Sequence, residues 1–219
     1  MLIACWSPKG GSGTTVVSAG LALVLASTGP TLLADLAGDV PAALGRAEPD
    51  GPGLADWLAA GTAVPDAALA RLAVEVGPHL RVLPRGGTDA DGAEAAESAR
   101  ASALAAALAA DRRSVVADCG RAAAGPGLAL AAGASVSLLV LRPCYLALRR
   151  AQRAPIRPSG VILIAEPGRS LTRRDVEDVL DVPVRAEVPY DAAVARAVDA
   201  GLLATRVPRN LERSLRRAA

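Results

Sequence analysis

The chain has 219 residues, a formal net charge of +2 and a hydrophobic fraction of 52%. This length is enough for one α/β domain with a substantial core, and the near-neutral charge excludes a global field for binding polyanions. Aromatic residues make up only 2% of the chain and phenylalanine is absent, which argues against the stacking platforms that bind single-stranded nucleic acid.

The first predicted elements are a buried strand, a glycine-rich loop and a helix. The strand is the short apolar run Leu2 to Trp6, and the helix extends from Val16 to Ala26. Glycines let the backbone wrap an anion, and the N-terminus of a helix adds unpaired N–H donors. The layout therefore predicts a phosphate-binding loop. Its expected ligand-contacting residues are Lys9, Gly10, Gly11, Ser12, Gly13, Thr14 and Thr15.

The loop departs from the standard pattern G-x-x-x-x-G-K-[ST] at the lysine. Thr14 occupies the lysine position, whereas Thr15 occupies the position whose hydroxyl ligates Mg²⁺. Lys9 lies earlier in the loop and is the only lysine of the chain. A compact ammonium inside a glycine loop indicates a contact with phosphate. The alternative is an ordinary glycine-rich turn between a strand and a helix.

The motif from Lys9 to Thr15 resembles the deviant phosphate loop, K-G-G-x-G-[K/S/T]-[ST], of the MinD/ParA superfamily. The resemblance implies that ATP and Mg²⁺ are the ligands. It also implies a nucleotide-dependent homodimer, in which Lys9 reaches the phosphates held by the partner. Thr14 at the second lysine position is most similar to the CpaE/TadZ branch, whose members localise the Flp/Tad pilus secretion machinery. The resemblance covers residues 2 to about 201.

A second apolar strand, Thr31 to Ala34, ends at Asp35. An acidic residue at the carboxyl end of a parallel strand lies at the ligand-binding edge of the sheet. The segment resembles switch I of the superfamily, usually D-x-D, which places Asp35 in the metal and water shell. Ala37 replaces the second aspartate, which in relatives helps to position the attacking water. Asp39 is expected to substitute for it, and the alternative is a solvated aspartate in a turn.

Helices and strands then alternate along the middle of the chain. Helices are predicted over Leu54–Leu58 and Asp66–Val76, a strand over Leu80–Pro84, and a long alanine-rich helix over Asp89–Asp111. Ser114 to Asp118 is an apolar strand that ends in aspartate, which is a Walker B pattern. Such a strand delivers one carboxylate to the Mg²⁺ shell, so Asp118 joins Thr15 and Asp35 as an expected metal-shell residue. Residues 119–127 are expected to form switch II.

The last third of the domain continues the alternation, with strands predicted over 136–141, 161–164 and 184–188 and helices over 146–153, 171–180 and 192–200. The pattern indicates one doubly wound, mainly parallel sheet flanked by helices, with the nucleotide at the carboxyl edge of its strands. The run Pro189-Tyr190-Asp191 resembles the superfamily segment beside the adenine. Relatives often place an asparagine at the end of the preceding strand, where this chain has Ile164-Ala165-Glu166.

We expect residues 1–205 to form the nucleotide-binding domain and residues 206–219 a basic C-terminal tail. The tail has only Leu211 and Leu215 as large apolar residues, so a solvated terminal helix is favoured over a membrane-binding one. No signal-peptide pattern precedes the first strand, and no apolar run reaches the ~20 residues of a membrane span. We therefore expect a cytoplasmic location, with peripheral binding at the inner face of the membrane as the alternative.

Three cysteines, Cys5, Cys119 and Cys144, fall at predicted strand ends. An odd number of cysteines indicates reduced thiols, and their spacing does not suit a metal or iron–sulfur centre, so small buried thiols are expected. The single histidine, His79, is expected at the surface.

The resemblance implies a switch ATPase that positions cellular machinery, such as a pilus or secretion apparatus, with a pilus, secretion or partitioning protein as its expected partner. Thr14 removes a fixed positive charge and Ala37 removes a carboxylate, so hydrolysis is expected to be slow or partner-dependent. Two other functions stay open. One is a DNA-partitioning ATPase that uses Arg149, Arg150 and Arg153 on DNA phosphates, and the other is a scaffold that no longer hydrolyses ATP.

Overall fold

The computed structural model describes residues 1–60, 65–87, 94–122 and 124–218. The strands are β1 (Leu2–Ser7), β2 (Thr31–Asp35), β3 (Val74–Gly77), β4 (Leu80–Leu83), β5 (Ser114–Arg121), β6 (Val136–Leu141), β7 (Gly160–Ala165) and β8 (Val184–Pro189). The α-helices are α1 (Thr14–Ala26), α2 (Val40–Ala43), α3 (Leu54–Ala59), α4 (Glu94–Ala109), α5 (Gly125–Gly133), α6 (Tyr145–Gln152), α7 (Arg173–Leu180), α8 (Ala192–Asp199) and α9 (Arg209–Leu215). A 3₁₀ helix covers Asp66–Leu72.

The strands form one sheet in the order β3-β4-β2-β5-β1-β6-β7-β8. All neighbouring pairs run parallel except β3 and β4, which form an antiparallel hairpin at one edge. The predicted fold class, a doubly wound and mainly parallel sheet flanked by helices, is therefore confirmed. The order also places β5 between β1 and β2, so the glycine loop lies next to the strand that ends near Asp118 and one strand further from Asp35.

The central strands are mainly apolar because helices cover both faces of the sheet. Every residue of β1 is buried, and its side chains alternate between two core clusters. Trp6 lies in the cluster under α3 to α7, and Ile3 lies in the cluster under α1 and α9. Trp6 donates its indole N–H to the Ser137 hydroxyl at 3.0 Å, so its buried donor is satisfied. A rigid central sheet therefore carries the loop that follows β1.

The helix predicted over Asp66–Val76 is wrong in its second half. The structure has the 3₁₀ helix only to Leu72, and Val74–Gly77 forms strand β3. The physical reason is the β-branched pair Val74 and Val76, which favours extended backbone, together with the hydrogen-bonding edge that β4 offers. The predicted long helix begins at Glu94 in the structure, and residues 89–93 of that prediction lie outside the described residues.

The switch II prediction also changes in detail. Strand β5 continues three residues past Asp118 to Arg121, and α5 begins at Gly125. Neither this short alanine- and glycine-rich helix nor the four-residue α2 was predicted from the sequence. Both lie just after a strand at the carboxyl edge of the sheet, so they border the predicted ligand site.

The C-terminal helix α9 packs on α1 rather than extending into solvent on all sides. Leu211 and Leu215 are buried, and a Cβ added to Gly20 of α1 would lie 2.8 Å from Leu215 Cδ1. The apolar face of the tail therefore belongs to the core in this structure, while the arginines Arg209, Arg213, Arg216 and Arg217 are exposed. In the described parts of the chain, no helix is long and apolar enough to cross a membrane.

Candidate nucleotide-binding site

The loop between β1 and α1 forms an open cradle of backbone. Gly11 and Gly13 have φ angles of 75° and 85°, a region that residues with a Cβ rarely adopt. A Cβ added to Gly10, Gly11 or Gly13 would meet no other atom within 4 Å. Packing inside the protein therefore does not explain the absence of side chains at these positions. The space that they leave open suits a ligand that approaches the backbone closely.

The N-terminus of α1 faces the site without a capping side chain. Gly13 is the N-cap residue, no side chain caps the helix, and its first turn contains no acidic residue. The first N–H groups of a helix have no partner within the helix, and they carry a partial positive charge. They are therefore available to an anion such as a phosphate group.

Two serine hydroxyls fix the other side of the loop. The Ser12 hydroxyl donates a hydrogen bond to the Lys9 carbonyl at 2.8 Å, and the Ser7 hydroxyl lies 3.1 Å from the same oxygen. The Lys9 side chain is half-buried, and its ammonium makes no hydrogen bond or ion pair with the residues that the structure describes. The backbone of the loop is therefore held in place while the cation of Lys9 stays available.

A cavity of about 510 Å³ lies in front of the loop. Its walls combine Ser7 and the loop residues Gly10–Val16 with Leu36, Ala37 and Asp39 of the predicted switch I. The far side is formed by Cys119 and Gly120 of the predicted switch II, together with two arginines, Arg85 and Arg121. The fold thus brings the loop, both switches and Thr15 to one place. Lys9 is not among the described residues that line this cavity.

Asp118 has one carboxylate oxygen that is not hydrogen-bonded. The side chain is buried, Oδ1 accepts a hydrogen bond from the Gly120 N–H at 3.1 Å, and Oδ2 has no hydrogen-bond partner in the described structure. Burial raises the pKa of Asp118, and the nearby Thr15 hydroxyl acts in the opposite direction. A buried oxygen without a partner calls for an explanation, and a bound cation supplies one.

The donor set at this point fits Mg²⁺. Thr15 and Asp118 offer two hard oxygen ligands, and Mg²⁺ usually takes only one or two protein oxygens and fills its shell with water and phosphate. Across the described residues, no group of three or more histidine, cysteine or acidic side chains could hold a metal ion. A metal cage made entirely by protein side chains is therefore not found in that part of the chain.

Asp35 plays a different part from Asp118, although the two are paired on adjacent strands β2 and β5. Asp35 is fully buried, and its two oxygens accept hydrogen bonds from the N–H groups of Gly38 at 2.7 Å and Val40 at 3.0 Å. Burial raises the pKa of Asp35 to about 6, despite these hydrogen bonds, which lower it. The carboxylate thus closes the switch I turn, and the strand register places Asp35 beside Asp118. Its role in the metal and water shell stays a prediction.

Asp39 is the exposed acidic residue of the same turn and lines the cavity. Its negative charge raises the pKa of Asp118, so the two carboxylates lie close enough to interact. The structure therefore places Asp39 where a carboxylate could face a ligand in the cavity.

The thiols follow the sequence prediction only in part. Cys5 and Cys119 are buried and Cys144 is half-buried, and all three are free. Burial raises the pKa of Cys5 to about 12, which keeps the thiol protonated and unreactive at neutral pH. His79 is exposed, as expected.

A second, mostly apolar cavity of about 200 Å³ adjoins the loop on the side of β7 and β8. The predicted residues Pro189, Tyr190 and Asp191 all line it, and its floor contains Ile164 and Val188. Asp191 caps α8 by accepting a hydrogen bond from the Ala193 N–H at 2.8 Å. An apolar slot beside a phosphate cradle is suited to a flat heterocyclic base.

Arg142 links this second cavity to the loop. Its guanidinium donates a hydrogen bond to the Gly11 carbonyl at 3.2 Å, forms an ion pair with Glu166 and lies 5.8 Å from the centroid of the Tyr190 ring. Glu166 also accepts a hydrogen bond from Arg169 at 2.6 Å. Glu166, which follows the strand where relatives often have an asparagine, is thus engaged by two arginines.

Three further arginines line the two cavities although no sequence motif marks them as site residues: Arg85, Arg121 and Arg142. Each lies at or just after the carboxyl end of a parallel strand, β4, β5 and β6 respectively. Their position in the sequence could have indicated a role in the site, because residues at the carboxyl ends of parallel strands lie at the ligand edge of the sheet.

The sequence of residues 3–204 matches the family model described as the CobQ/CobB/MinD/ParA nucleotide binding domain. Comparison with curated protein sequences gives no significant match.

Solved structures share the fold at low sequence identity. The cell division ATPase MinD of Pyrococcus furiosus is 23% identical, with a TM-score of 0.78 and coverage of 100% of this chain and 99% of that chain. MinD of Pyrococcus horikoshii OT3, complexed with Mg-ADP, is 22% identical, with a TM-score of 0.79 and coverage of 99% and 93%. A ParA family ATPase from Chlorobium tepidum TLS is 21% identical, with a TM-score of 0.78 and coverage of 98% and 96%.

Proposed function

The chain belongs to the CobQ/CobB/MinD/ParA nucleotide-binding domain family, and from this premise we propose that it binds ATP with Mg²⁺ and acts as a nucleotide-dependent switch. The observation that carries the proposal is the open glycine cradle beside the unpartnered Oδ2 of Asp118. The similar MinD structure with Mg-ADP supports the same ligand class. The cavity of about 510 Å³ in front of the loop suits the phosphates and Mg²⁺, and the adjoining apolar cavity suits the base.

The proposed roles follow from position. The backbone N–H groups of Gly10 to Thr14 hold the phosphates, and Thr15 and Asp118 bind Mg²⁺ directly or through water. Bound Mg²⁺ would neutralise phosphate charge. Asp35 holds the switch I turn beside the metal shell. The base occupies the apolar cavity at Pro189, Tyr190 and Asp191.

Hydrolysis is proposed to be slow or dependent on a partner. Catalysis of phosphoryl transfer depends mainly on positioning and on fixed positive charge around the transferred group. Thr14 supplies no such charge, and Ala37 supplies no carboxylate to orient water. Asp39 is the exposed carboxylate that lines the cavity, so we assign it the water-positioning role. The available ammonium of Lys9 supports the proposal that it reaches a nucleotide held by a second copy, in an ATP-dependent homodimer.

For the cellular role we propose positioning of a larger assembly, as in the CpaE/TadZ branch. Thr14 at the second lysine position supports this branch. The proposal places the protein in the cytoplasm, with a pilus or secretion component as its partner and with peripheral membrane contact through that partner. The burial of Leu211 and Leu215 supports contact through a partner rather than through the tail itself.

DNA partitioning is the second candidate, and the surface of α6 favours it. Arg149, Arg150 and Arg153 are exposed on or just after this helix, which contains no acidic residue. Arginines on one exposed face suit DNA phosphates. A DNA affinity that requires ATP and falls steeply with salt would support this candidate. No binding at low salt would exclude it.

The test of the proposed function is calorimetric titration of the purified protein with ATP and Mg²⁺, beside the Lys9→Ala variant. We expect saturable binding near one nucleotide per chain and weaker binding by the variant. Thermal unfolding of both proteins controls for loss of fold. A folded protein that gives no saturation at millimolar ATP would contradict the proposal and favour a scaffold without nucleotide.

A further inference from the structure

Two arginines, at positions that the loop motif does not predict, line the cavity in front of the glycine loop. Arg85 and Arg121 both line the 510 Å³ cavity in front of the loop and the adjoining cavity of about 190 Å³. Both are exposed, and neither forms an ion pair with any residue that the structure describes. The two cations thus stand at the boundary between the cavities without an anionic partner in the described part of the chain.

Arg85 is held against switch I. It follows β4 directly after Pro84, and its Nη1 donates to the Ala37 carbonyl at 3.4 Å. A Cβ added to Gly38 would lie 3.2 Å from Arg85 Cδ, so the aliphatic part of the side chain covers that glycine. Arg85 therefore contacts the switch I turn at both Ala37 and Gly38, and Asp35 closes the same turn.

Arg121 lies beside the end of β1, where the phosphate loop starts. It is the last residue of β5, and its Cα is paired with that of Ser7, the last residue of β1. The Ser7 hydroxyl is also within 3.3 Å of the Gly120 carbonyl. The backbone of Arg121 is therefore fixed to the same strand end from which the loop starts. Arg85 and Arg121 reach the cavity from two different neighbours of the loop.

The charge around the cavity explains why these cations matter. Thr14 leaves the loop without the lysine of the standard motif, and Lys9 does not line the cavity. The acidic residues nearby are Asp39 on the wall and the buried pair Asp35 and Asp118. ATP brings one more phosphate group than ADP into this space. Arginine binds phosphate oxygens through two parallel N–H bonds, which makes it a suitable replacement for the missing lysine.

We propose that Arg85 and Arg121 bind the terminal phosphate of ATP within the same chain and supply the positive charge that Thr14 does not. The inference rests on the proposed function, because it concerns the same site. It adds that the protein distinguishes ATP from ADP through Arg85, which contacts switch I, and Arg121, which lies in switch II. Because Arg85 also contacts the Ala37 carbonyl, binding of the terminal phosphate fixes the switch I turn.

The test compares ATP and ADP affinities in the presence of Mg²⁺ for the wild-type protein and for Arg85→Ala, Arg121→Ala and the double variant. We expect each single variant to weaken ATP binding by roughly tenfold or more, the effect of losing a hydrogen bond between charged groups. The affinity for ADP should change by less than about twofold. The Arg85→Lys variant, which keeps the charge but loses the fork of donors, should weaken ATP binding less than Arg85→Ala.

Arg112→Ala is the matched control. Arg112 is exposed, it precedes β5, and it therefore lies at the opposite end of the strand that Arg121 terminates. Its removal changes the net charge by the same amount and should leave both affinities unchanged. Thermal unfolding of every variant controls for loss of fold.

The possible results separate the inference from the proposed function. Equal weakening of ATP and ADP binding in the arginine variants would overturn the assignment to the terminal phosphate, and so would full ATP affinity in the double variant. Either result leaves the nucleotide switch itself in place. A wild-type protein that binds neither nucleotide would overturn the proposed function and this inference with it.

Discussion

The backbone at Gly45 lies so close to Gly201 that a Cβ added to Gly45 would fall 1.8 Å from the Gly201 carbonyl oxygen. Gly45 follows α2, which begins at the end of the switch I turn. Gly201 follows α8, which lines the apolar cavity of about 200 Å³. Both glycines have positive φ angles, 68° and 64°. The contact therefore joins the two halves of the site through backbone alone.

The first prediction is that Gly45→Ala strongly destabilises the protein. The added Cβ would collide with backbone that has no flexible end to move, and the left-handed conformation adds about 1–2 kcal/mol for a residue with a Cβ. We expect the free energy of unfolding to fall by about 2 kcal/mol or more in urea titrations. Gly29→Ala is the control because a Cβ there meets nothing within 4 Å and should change stability by less than about 0.5 kcal/mol. Equal stability of the two variants would contradict the close contact.

Local sequence patterns account for most of the fold. β1, β2, β5, β6 and β7 are short apolar runs that end at turns, so the alternation of strands and helices could be predicted directly. β3 could not, because its two valines form a strand only when β4 lies beside them. The burial of Leu211 and Leu215 depends in the same way on the open surface at Gly20 of α1, which no local pattern reveals.

The site residues also fall into those that a local motif predicts and those that depend on the tertiary fold. The phosphate cradle and Asp118 are local motifs, so the sequence placed them at the ligand edge. Arg85, Arg121 and Arg142 come from three strands whose order in the sheet decides which of them face the loop. Strand order is a tertiary property, and a single arginine after a strand carries no pattern of its own. Sequence patterns place the three arginines at the ligand edge, but they do not show that Arg85 and Arg121 line the cavity in front of the loop while Arg142 lines the apolar cavity.

The second prediction concerns the pH dependence of stability in metal-free buffer. The pKa of Asp35 rises from its ordinary 3.8 to about 6 in the folded protein, because the carboxyl is buried. The folded state therefore holds this proton more tightly than the unfolded state. The contribution of Asp35 to stability is complete below about pH 4 and is lost as pH rises through about 6, by about 3 kcal/mol in total.

Comparison with Asp35→Asn isolates that contribution. Burial also raises the pKa of Asp118, so the pH dependence of the wild-type protein alone would not isolate Asp35. The wild-type free energy of unfolding minus that of Asp35→Asn should therefore be larger at pH 4.5 than at pH 7.5, measured in urea with EDTA present. A difference that stays constant with pH, or grows toward pH 7.5, would show that the Asp35 pKa is not raised.

The third prediction is that Asp118→Asn stabilises the metal-free protein but weakens Mg²⁺-dependent binding of ATP. The comparison is made at pH 8 without Mg²⁺. Burial raises the pKa of Asp118, so the folded protein disfavours its negative charge, and Oδ2 has no hydrogen-bond partner among the described residues. Removing that charge should raise the free energy of unfolding by about 1 kcal/mol or more. The same variant should lose most of the gain in ATP affinity that Mg²⁺ gives to the wild-type protein, measured by titration with Mg²⁺ and with EDTA. A variant that is less stable at pH 8, or that keeps the full Mg²⁺ effect, would contradict the role of Asp118.

The last prediction distinguishes the base side of the site from the phosphate side. Arg142 donates to the Gly11 carbonyl and lies 5.8 Å from the centroid of the Tyr190 ring, and Gly11 and Tyr190 both line the apolar cavity of about 200 Å³. Arg142 also forms an ion pair with Glu166. Arg142→Ala should therefore weaken ATP and ADP binding together, by roughly fivefold to tenfold, because the lost contacts are the same for both nucleotides. Parallel loss would contrast with the selective loss of ATP binding expected for Arg85→Ala.

Arg169→Ala is the matched control for Arg142. This substitution removes the other arginine that binds Glu166, but Arg169 does not line the apolar cavity of about 200 Å³ in the described structure. We expect nucleotide affinity within about twofold of wild type for this variant and similar thermal stability for both, because Glu166 keeps one cationic partner in each case. If Arg169→Ala weakened binding as much as Arg142→Ala, the effect would come from Glu166. Arg142 would then act as a positioning residue for that carboxylate rather than through its own contacts with the loop and the ring.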